Sequence, residues 1–273
     1  MKNTDEIKHL LEDIKGIATS AATSILDVYN TDFDIERKDD KSPLTLADLA
    51  SHRLICERLH KLTPDIPVLS EESATTEFSV RRQWNRFWLV DPLDGTREFI
   101  KRNGEFTVNI ALIENHEPVL GVIQVPVSGI CYYAARGQGA YKQAGQETPS
   151  RIRTRNTNSH SLAIAGSRSH GSEKQRAFIE KLGNVEIYAI GSSLKFCLVA
   201  EGRVDIYPRF GPTSEWDTAA AQCIVEEAGG IVTDETLNPL RYNTRESLLN
   251  PHFLVIADPS FDWLSIIQEL EVE

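Results

Sequence analysis

The spacing of hydrophobic residues predicts two helices at the N-terminal end of the chain. Apolar side chains recur in steps of three and four over residues 7–28, which is the period of one face of an α-helix. A second helix is predicted over residues 45–62, because Pro64 follows the last apolar position. Residues 33–44 between the two helices are polar, and within them residues 38–43 predict a mobile loop.

Short apolar runs predict strands in the next part of the chain. Residues 67–70 and 87–90 are each predicted to form a strand, and the polar residues 74–86 between them predict an irregular segment. A short helix that ends at Gly104 is predicted to follow. Three further runs separated by turn residues predict an antiparallel meander; they span residues 108–113, 119–125 and 130–134.

Strands alternate with helices in the last part of the chain, which predicts an α/β arrangement. The predicted strands are 162–165, 185–189 and 204–207, and the predicted helices are 174–182, 194–201 and 216–228. The polar segment 143–158 separates this part from the meander. We therefore expect an α+β N-terminal domain over residues 1–157 and an α/β C-terminal domain over residues 158–273.

Composition and charge narrow the classes of partner. The 273 residues include 29 Lys plus Arg and 40 Asp plus Glu, so the formal net charge is −11. This acidity argues against nucleic-acid binding but permits a small anionic substrate. The four cysteines lack zinc-binding spacing and are expected to be free thiols in a reducing cytoplasm. We find no signal peptide and no apolar run near the roughly 20 residues that span a bilayer.

The strongest candidate for chemistry is the segment Asp91-Pro92-Leu93-Asp94-Gly95-Thr96, which directly follows the buried strand 87–90. It carries two carboxylates three residues apart, and Gly95 lets the backbone approach a ligand closely. Carboxylate oxygens are ligands that Mg²⁺ prefers, and a helix beginning near Thr96 would offer free amides to a phosphate. A capped strand-to-helix turn is the alternative interpretation.

Two further acidic residues could reach the same place. Glu71 ends the strand 67–70, and Asp217 lies in the first turn of the helix 216–228. Asp217 could instead complement the helix dipole. Four carboxylates at strand ends and helix starts are costly together unless cations neutralise them.

Two segments resemble the signatures of the inositol monophosphatase superfamily. They are residues 88–96 (WLVDPLDGT) and residues 216–221 (WDTAAA), and the resemblance extends from the first helix to Ala257. Within the superfamily the chain is similar to the 3'(2'),5'-bisphosphate nucleotidases of bacterial sulfur assimilation. That similarity rests on residues 67–72, 95–109, 167–170, 191–196 and 207–213.

The resemblance implies a layered αβαβα sandwich of the sugar-phosphatase type, with the site between its two halves. It implies two to three Mg²⁺ ions held by Glu71, Asp91, the Leu93 carbonyl, Asp94 and Asp217. It also implies that Thr96, relayed by Asp48, orients a metal-activated water. The spacing Thr45-x-x-Asp48 is equally a helix capping box, and the two roles need not exclude each other.

The resemblance also implies a set of substrate contacts: Glu71, Leu93, Asp94, Gly95, Thr96, His170, Gly191, Ser193, Lys195 and Asp217. His170 would lie beside the nucleotide, and Lys195 would pair with its second phosphate. A lone loop histidine or helix lysine is otherwise most often solvated.

The expected activity is lithium-sensitive hydrolysis of adenosine 3',5'-bisphosphate to AMP and phosphate. The rivals are an inositol or sugar monophosphatase on the same fold, a nucleotide sensor without activity, and a structural acidic domain. Peripheral association with the inner membrane and the oligomeric state stay open.

Overall fold

A computed structural model describes residues 2–31, 35–37, 43–158, 160–166 and 173–268. Within them the helices are α1 (Lys2–Tyr29), α2 (Leu46–Leu62), α3 (Phe78–Arg81), α4 (Thr96–Ile100), α5 (Glu173–Leu182), α6 (Leu194–Ala200), α7 (Glu215–Ala228) and α8 (Trp263–Gln268). A short 3-10 turn spans Glu71–Ser73.

Most of the strands belong to two large sheets. In chain order they are β1 (Ile35–Arg37), β2 (Pro43–Thr45), β3 (Val68–Ser70), β4 (Arg86–Asp94), β5 (Thr107–Glu114), β6 (Glu117–Gln124), β7 (Ile130–Ala135), β8 (Gly139–Ala144), β9 (Ser150–Ile152), β10 (Leu162–Gly166), β11 (Val185–Ala189), β12 (Ile206–Arg209), β13 (Ile231–Asp234) and β14 (Phe253–Ile256). The first sheet has the order β3-β4-β5-β6-β7-β8-β9, and only β3 runs parallel to its neighbour. The second has the order β11-β10-β12-β14-β13, with β10 parallel to both neighbours.

The helices and sheets stack in five layers. On β4, Trp88 and Val90 face α1 and α2, whereas Phe87 and Leu89 face the layer of α6 and α7. This alternation follows from the two-residue period of a strand, and both faces are apolar because both are covered. The other face of the α6–α7 layer packs on the second sheet, and α5 and α8 cover that sheet's outer side. The predicted αβαβα sandwich is confirmed.

Several predictions of local structure need correction. The mobile loop predicted over 38–43 lies outside the described part except for Pro43, which begins β2, and the polar residues before it contain β1, which pairs antiparallel with β2. The irregular segment 74–86 contains α3, and the polar segment 143–158 contains β9. Both are short polar elements that lack an apolar period, so the pattern gave no signal for them.

The end of β4 and the start of β12 were also misplaced. β4 continues to Asp94 instead of ending in a turn after residue 90, because the chain bulges there and stays paired with β5. β12 begins at Ile206, two residues later than the apolar run predicts.

The division into domains at residues 157 and 158 stays a prediction. All strands of the first sheet precede that point, but one continuous core joins both sheets to α7.

Helix α7 lies unusually close to the first sheet. An added Cβ at Gly121 of β6 would sit 2.3 Å from the carbonyl oxygen of Ala220 on α7, a distance that real contacts do not reach. A glycine is therefore needed for α7 to seat on the sheet.

We predict that Gly121→Ala lowers the free energy of unfolding by about 1–3 kcal/mol, because α7 must move away from the strand. The matched control is Gly16→Ala in α1, where a Cβ meets nothing within 4 Å. That variant should gain up to about 1 kcal/mol from helix propensity. Urea unfolding of both variants checks this, and equal stability of the two would contradict the close approach.

Candidate active site

The candidate site is a cavity of about 710 Å³ between the end of β4, the start of α7 and the loop before α6. Its walls include every described residue proposed from the sequence except Asp48, and they add several others. The lining residues are Glu71, Asp91, Leu93, Asp94, Gly95, Thr96, Arg97, Glu98, Gly191, Ser192, Ser193, Lys195, Phe196, Tyr207, Arg209, Pro212, Thr213, Ser214, Asp217 and Leu249.

A bulge in β4 places its two aspartates on one side of the cavity. Asp91 is opposite Asn109 on β5, but Asp94 is opposite Thr107, so β4 has one extra residue between the pairs. The Leu93 N–H donates to Asp91 Oδ1 at 3.0 Å instead of to a neighbouring strand. The bulge thus turns two carboxylates, which a regular strand would separate, toward the same point.

Asp217 joins these two carboxylates from the first turn of α7. One oxygen from each of Asp91, Asp94 and Asp217 can be chosen so that all three lie within 4.8 Å of one another. The backbone N–H of Ser214 donates to Asp217 Oδ2 at 2.9 Å, so the side chain also caps α7. Asp217 thus lies in the first turn of α7, where it caps the helix, and also belongs to the carboxylate cluster; its role as a metal ligand stays a prediction.

Burial and mutual repulsion raise the carboxyl pKa values in this cluster. The pKa of Asp91, which is 1 % exposed, lies well above its usual value because of desolvation and the charges of Glu71, Asp94 and Asp217. The pKa of Asp217 is also raised well above its usual value, first by desolvation and then by Asp94 and Glu71. A set of oxygen donors that repel one another fits a hard divalent cation.

Thr96 and Asp48 form the predicted pair. Thr96 Oγ1 donates to Asp48 Oδ1 at 3.1 Å. The other oxygen of Asp48 accepts the Thr45 N–H at 2.8 Å and the Thr45 hydroxyl at 2.6 Å, which is the capping box of α2. The cap therefore orients the carboxylate that accepts the hydrogen bond of Thr96, and the role of the pair in orienting a water stays a prediction.

Gly95 adopts the left-handed conformation, with φ of 94°, between β4 and α4. A Cβ there would lie 3.2 Å from the Glu105 carbonyl oxygen and 3.3 Å from the Ser192 Cβ. Both the backbone conformation and the crowding require glycine.

The loop before α6 is attached to the first sheet at the cavity floor. The Gly191 N–H donates to Glu105 Oε2 at 2.9 Å, and the Ser193 N–H donates to Asp94 Oδ2 at 2.6 Å. Ser193 Oγ lies 2.7 Å from the same Asp94 oxygen and accepts from Asn109 Nδ2 at 2.8 Å. The candidate metal ligand Asp94 is thus held from both halves of the chain.

Lys195 also lines the cavity and is buried, with 7 % of its surface exposed. Its ammonium donates to the Ser192 carbonyl at 2.6 Å and lies 5.4 Å from the centre of the Tyr207 ring. Burial lowers the pKa of Lys195 to about 8, although Asp94 and Glu98 partly offset this shift. A buried ammonium that lines a cavity is a ready partner for an anion.

The sequence did not indicate every residue at the site, and one candidate residue falls outside the described part of the chain. Asn109 and Ser192 were not singled out, although Ser192 has a φ of 46° and a buried hydroxyl that lacks a partner within the described part. A Gly-Ser-Ser run before a helix is the one signal that could have indicated Ser192. His170 lies outside the described residues.

This fold and this cluster of carboxylates define a metal-dependent phosphatase. The chain belongs to the inositol monophosphatase family, whose model matches residues 7–259.

Curated relatives and solved structures agree with this assignment. A 3'(2'),5'-bisphosphate nucleotidase CysQ from Salmonella typhimurium is 50 % identical over 248 residues, which cover 90 % of this chain and 99 % of the relative. CysQ from Bacteroides thetaiotaomicron, a crystal structure, is 45 % identical with a TM-score of 0.77 and covers 89 % of this chain and 95 % of that one. The IMPase of Thermotoga maritima is 25 % identical with a TM-score of 0.79, covering 97 % and 98 %.

We predict that the protein, kept free of metal by a chelator, loses stability as the pH rises above the ordinary pKa values of carboxyl groups. The raised pKa values mean that the folded state holds protons that the unfolded state has already released, so stability falls with pH. Mg²⁺ at about 100 times its Kd should restore about 2.7 kcal/mol. Thermal unfolding with chelator or Mg²⁺ measures both effects.

Asp217→Asn should raise the melting temperature in chelator at neutral pH and remove most of the response to Mg²⁺. The exposed Asp65→Asn loses the same charge elsewhere and serves as the control. If both variants respond to Mg²⁺ like the unchanged protein, Asp217 is not a ligand.

Proposed function

We propose that the protein is a Mg²⁺-dependent 3'(2'),5'-bisphosphate nucleotidase that hydrolyses adenosine 3',5'-bisphosphate to AMP and phosphate. The observation that carries the proposal is that the buried Lys195 lines the same cavity as the carboxylate cluster. The carboxylate cluster with its cations would hold the scissile phosphate, and the buried Lys195 would hold a second phosphate. The names of the CysQ relatives support the same substrate class.

Two to three Mg²⁺ ions would be held by the carboxylates of Glu71, Asp91, Asp94 and Asp217 and by the Leu93 carbonyl. When bound, Mg²⁺ supplies Lewis acidity, offsets the phosphate charge and activates water for attack. The donor set supports this assignment because it consists entirely of oxygen atoms and is buried at Asp91. Lithium would compete for this site and inhibit the reaction.

Thr96 and Asp48 would handle the proton of the attacking water. Because Thr96 Oγ1 donates to Asp48, its lone pairs can accept a hydrogen bond from a water in the cavity that Thr96 lines. As the water oxygen bonds to phosphorus, its proton would pass to Thr96 Oγ1 and the threonine proton would pass to Asp48. The bond from phosphorus to the ribose 3'-oxygen would break, that oxygen would take a proton from a solvent water, and Asp48 would return its proton to solvent.

The remaining contacts would fix the nucleotide. Gly95 would let the backbone approach the phosphate closely, and Gly191 and Ser193, which also line the cavity, would contact the nucleotide. Lys195 would neutralise the 5'-phosphate, and His170 would lie beside the base.

We infer an N-terminal domain of residues 1–157 with the catalytic pair and a C-terminal domain of residues 158–273 with the nucleotide contacts. The four cysteines are unpaired, which supports a reducing compartment such as the cytoplasm. No described helix is both long enough and apolar enough to cross a bilayer.

The decisive test compares phosphate release from adenosine 3',5'-bisphosphate and from inositol 1-phosphate, with Mg²⁺ and with Mg²⁺ plus lithium. We expect strong preference for the nucleotide and loss of activity with lithium. Preference for inositol phosphate would favour a monophosphatase on the same fold, and binding of the nucleotide without turnover would favour a sensor.

Lys195→Met should raise KM for the bisphosphate by about 10–100-fold, which is the value of a charge-assisted hydrogen bond. The methionine keeps the apolar stem, so the change in KM for inositol 1-phosphate should be small. Equal loss on both substrates would show that Lys195 supports the fold and does not bind the second phosphate.

The same lysine predicts a pH effect. Because its pKa is lowered to about 8, the ammonium is lost as the pH rises through that value, and kcat/KM for the bisphosphate should fall there. Lys195→Arg keeps its charge over this range and should remove that fall. Measuring kcat/KM from pH 7 to 9.5 for both enzymes decides; the same profile for both would exclude Lys195 as its origin.

A further inference from the structure

The N-terminal half of α2 buries polar side chains on the helix face that packs against the first sheet. Further along this face, Ile55 and Leu59 belong to the hydrophobic core. In the first turns the same face carries Asp48, which is 1 % exposed, and Ser51, which is 0 % exposed. A buried hydroxyl costs free energy unless it is hydrogen-bonded, so the partner of Ser51 indicates its role.

Ser51 Oγ donates to the Pro92 carbonyl at 2.8 Å. Pro92 lies in the bulge between Asp91 and Asp94, where the described register pairs it with no neighbouring strand. The hydroxyl of Ser51 therefore supplies the hydrogen bond that the sheet does not, and it fixes the peptide between the two aspartates.

The next residue of α2 contacts the segment that carries Glu71. His52 Nδ1 lies 2.9 Å from Ser70 Oγ, and Ser70, the last residue of β3, is fully buried. Cys56, one turn further along α2, places its Sγ 3.5 Å from the same nitrogen. Ser70 directly precedes Glu71, so this contact lies beside the residue that joins the carboxylate cluster in the proposed site.

Ser51 and His52 follow Asp48 by three and four residues, so all three side chains lie on the same side of α2. From this face α2 contacts three parts of the site. Asp48 accepts the hydrogen bond of Thr96, Ser51 donates to the bulge at Pro92, and His52 contacts Ser70, the residue before Glu71. We propose that His52 and Ser51 are positioning residues: they set the separation of Glu71 from Asp91 so that both can bind one cation. The inference rests on the proposed metal-dependent function. Mg²⁺ demands near-ideal octahedral geometry, so a small shift of either carboxylate weakens binding.

The test uses binding of Mn²⁺ alone, followed by the paramagnetic resonance signal of the free ion, without substrate. His52→Ala should weaken the binding class that includes Glu71 by about tenfold, as removal of outer-shell partners does at other metal sites. His52→Asn keeps a polar atom near the position of Nδ1 and should restore most of the affinity. Ser51→Ala should have an effect in the same direction.

The matched control is Thr63→Val at the other end of α2. Thr63 Oγ1 accepts the indole N–H of Trp88 at 2.9 Å, so the variant removes a hydrogen bond between α2 and β4 far from the cavity. It should lower the melting temperature and leave Mn²⁺ binding unchanged. Loss of Mn²⁺ affinity in Thr63→Val equal to that in His52→Ala would reduce the role of His52 to general stability and overturn the proposal.

A double-mutant cycle separates positioning from other effects. If His52 acts through Glu71, His52→Ala should change Mn²⁺ binding less than twofold in a Glu71→Gln background. A further tenfold loss there would overturn the proposal, as would unchanged affinity of His52→Ala alone. If the unaltered protein itself binds no Mn²⁺, the proposed function is wrong as well, so the two failures are distinguishable.

Discussion

Repulsion among the buried carboxylates is the constraint on which the rest of this structure depends. Asp91 and Asp217 are held close together while desolvation and neighbouring charges oppose their ionisation. Such an arrangement persists only if the surrounding structure enforces it and cations offset it. The bulge in β4, the close seating of α7 on β6 and the polar face of α2 each contribute to that enforcement.

The loop at Gly191–Ser193 gives the cavity a second property. Asp94 accepts hydrogen bonds from Ser193, and Lys195 donates to the carbonyl of Ser192, so one short segment contacts both the carboxylate cluster and the buried ammonium. A ligand that moves the Lys195 ammonium would therefore also shift the loop that donates hydrogen bonds to Asp94. The arrangement offers a structural reason for a substrate with two phosphates to be turned over better than a substrate with one.

The elements with a clear hydrophobic period could be predicted from the sequence, and the irregular features could not. The apolar steps of α1 and the apolar runs of β5 to β7 gave their bounds within a few residues. The carboxylates could be assigned because Asp91 and Asp94 follow a buried strand directly. The bulge at Pro92 could not be foreseen, because it depends on how β4 pairs with β5. The buried Ser51 was missed since a serine on a helix is ordinarily solvent-exposed, and only its burial distinguishes it.

The order of the acidic residues along the chain has a consequence for how the protein is made. Asp91 and Asp94 lie in a sheet built largely from hairpins, which form from local contacts, whereas Asp217 arrives with α7 much later in synthesis. In the proposed ligand set, a nascent chain that lacks α7 has no Asp217. Full metal affinity would then be acquired only when the long-range docking of α7 is finished, and a bound cation would stabilise the completed fold over shorter intermediates.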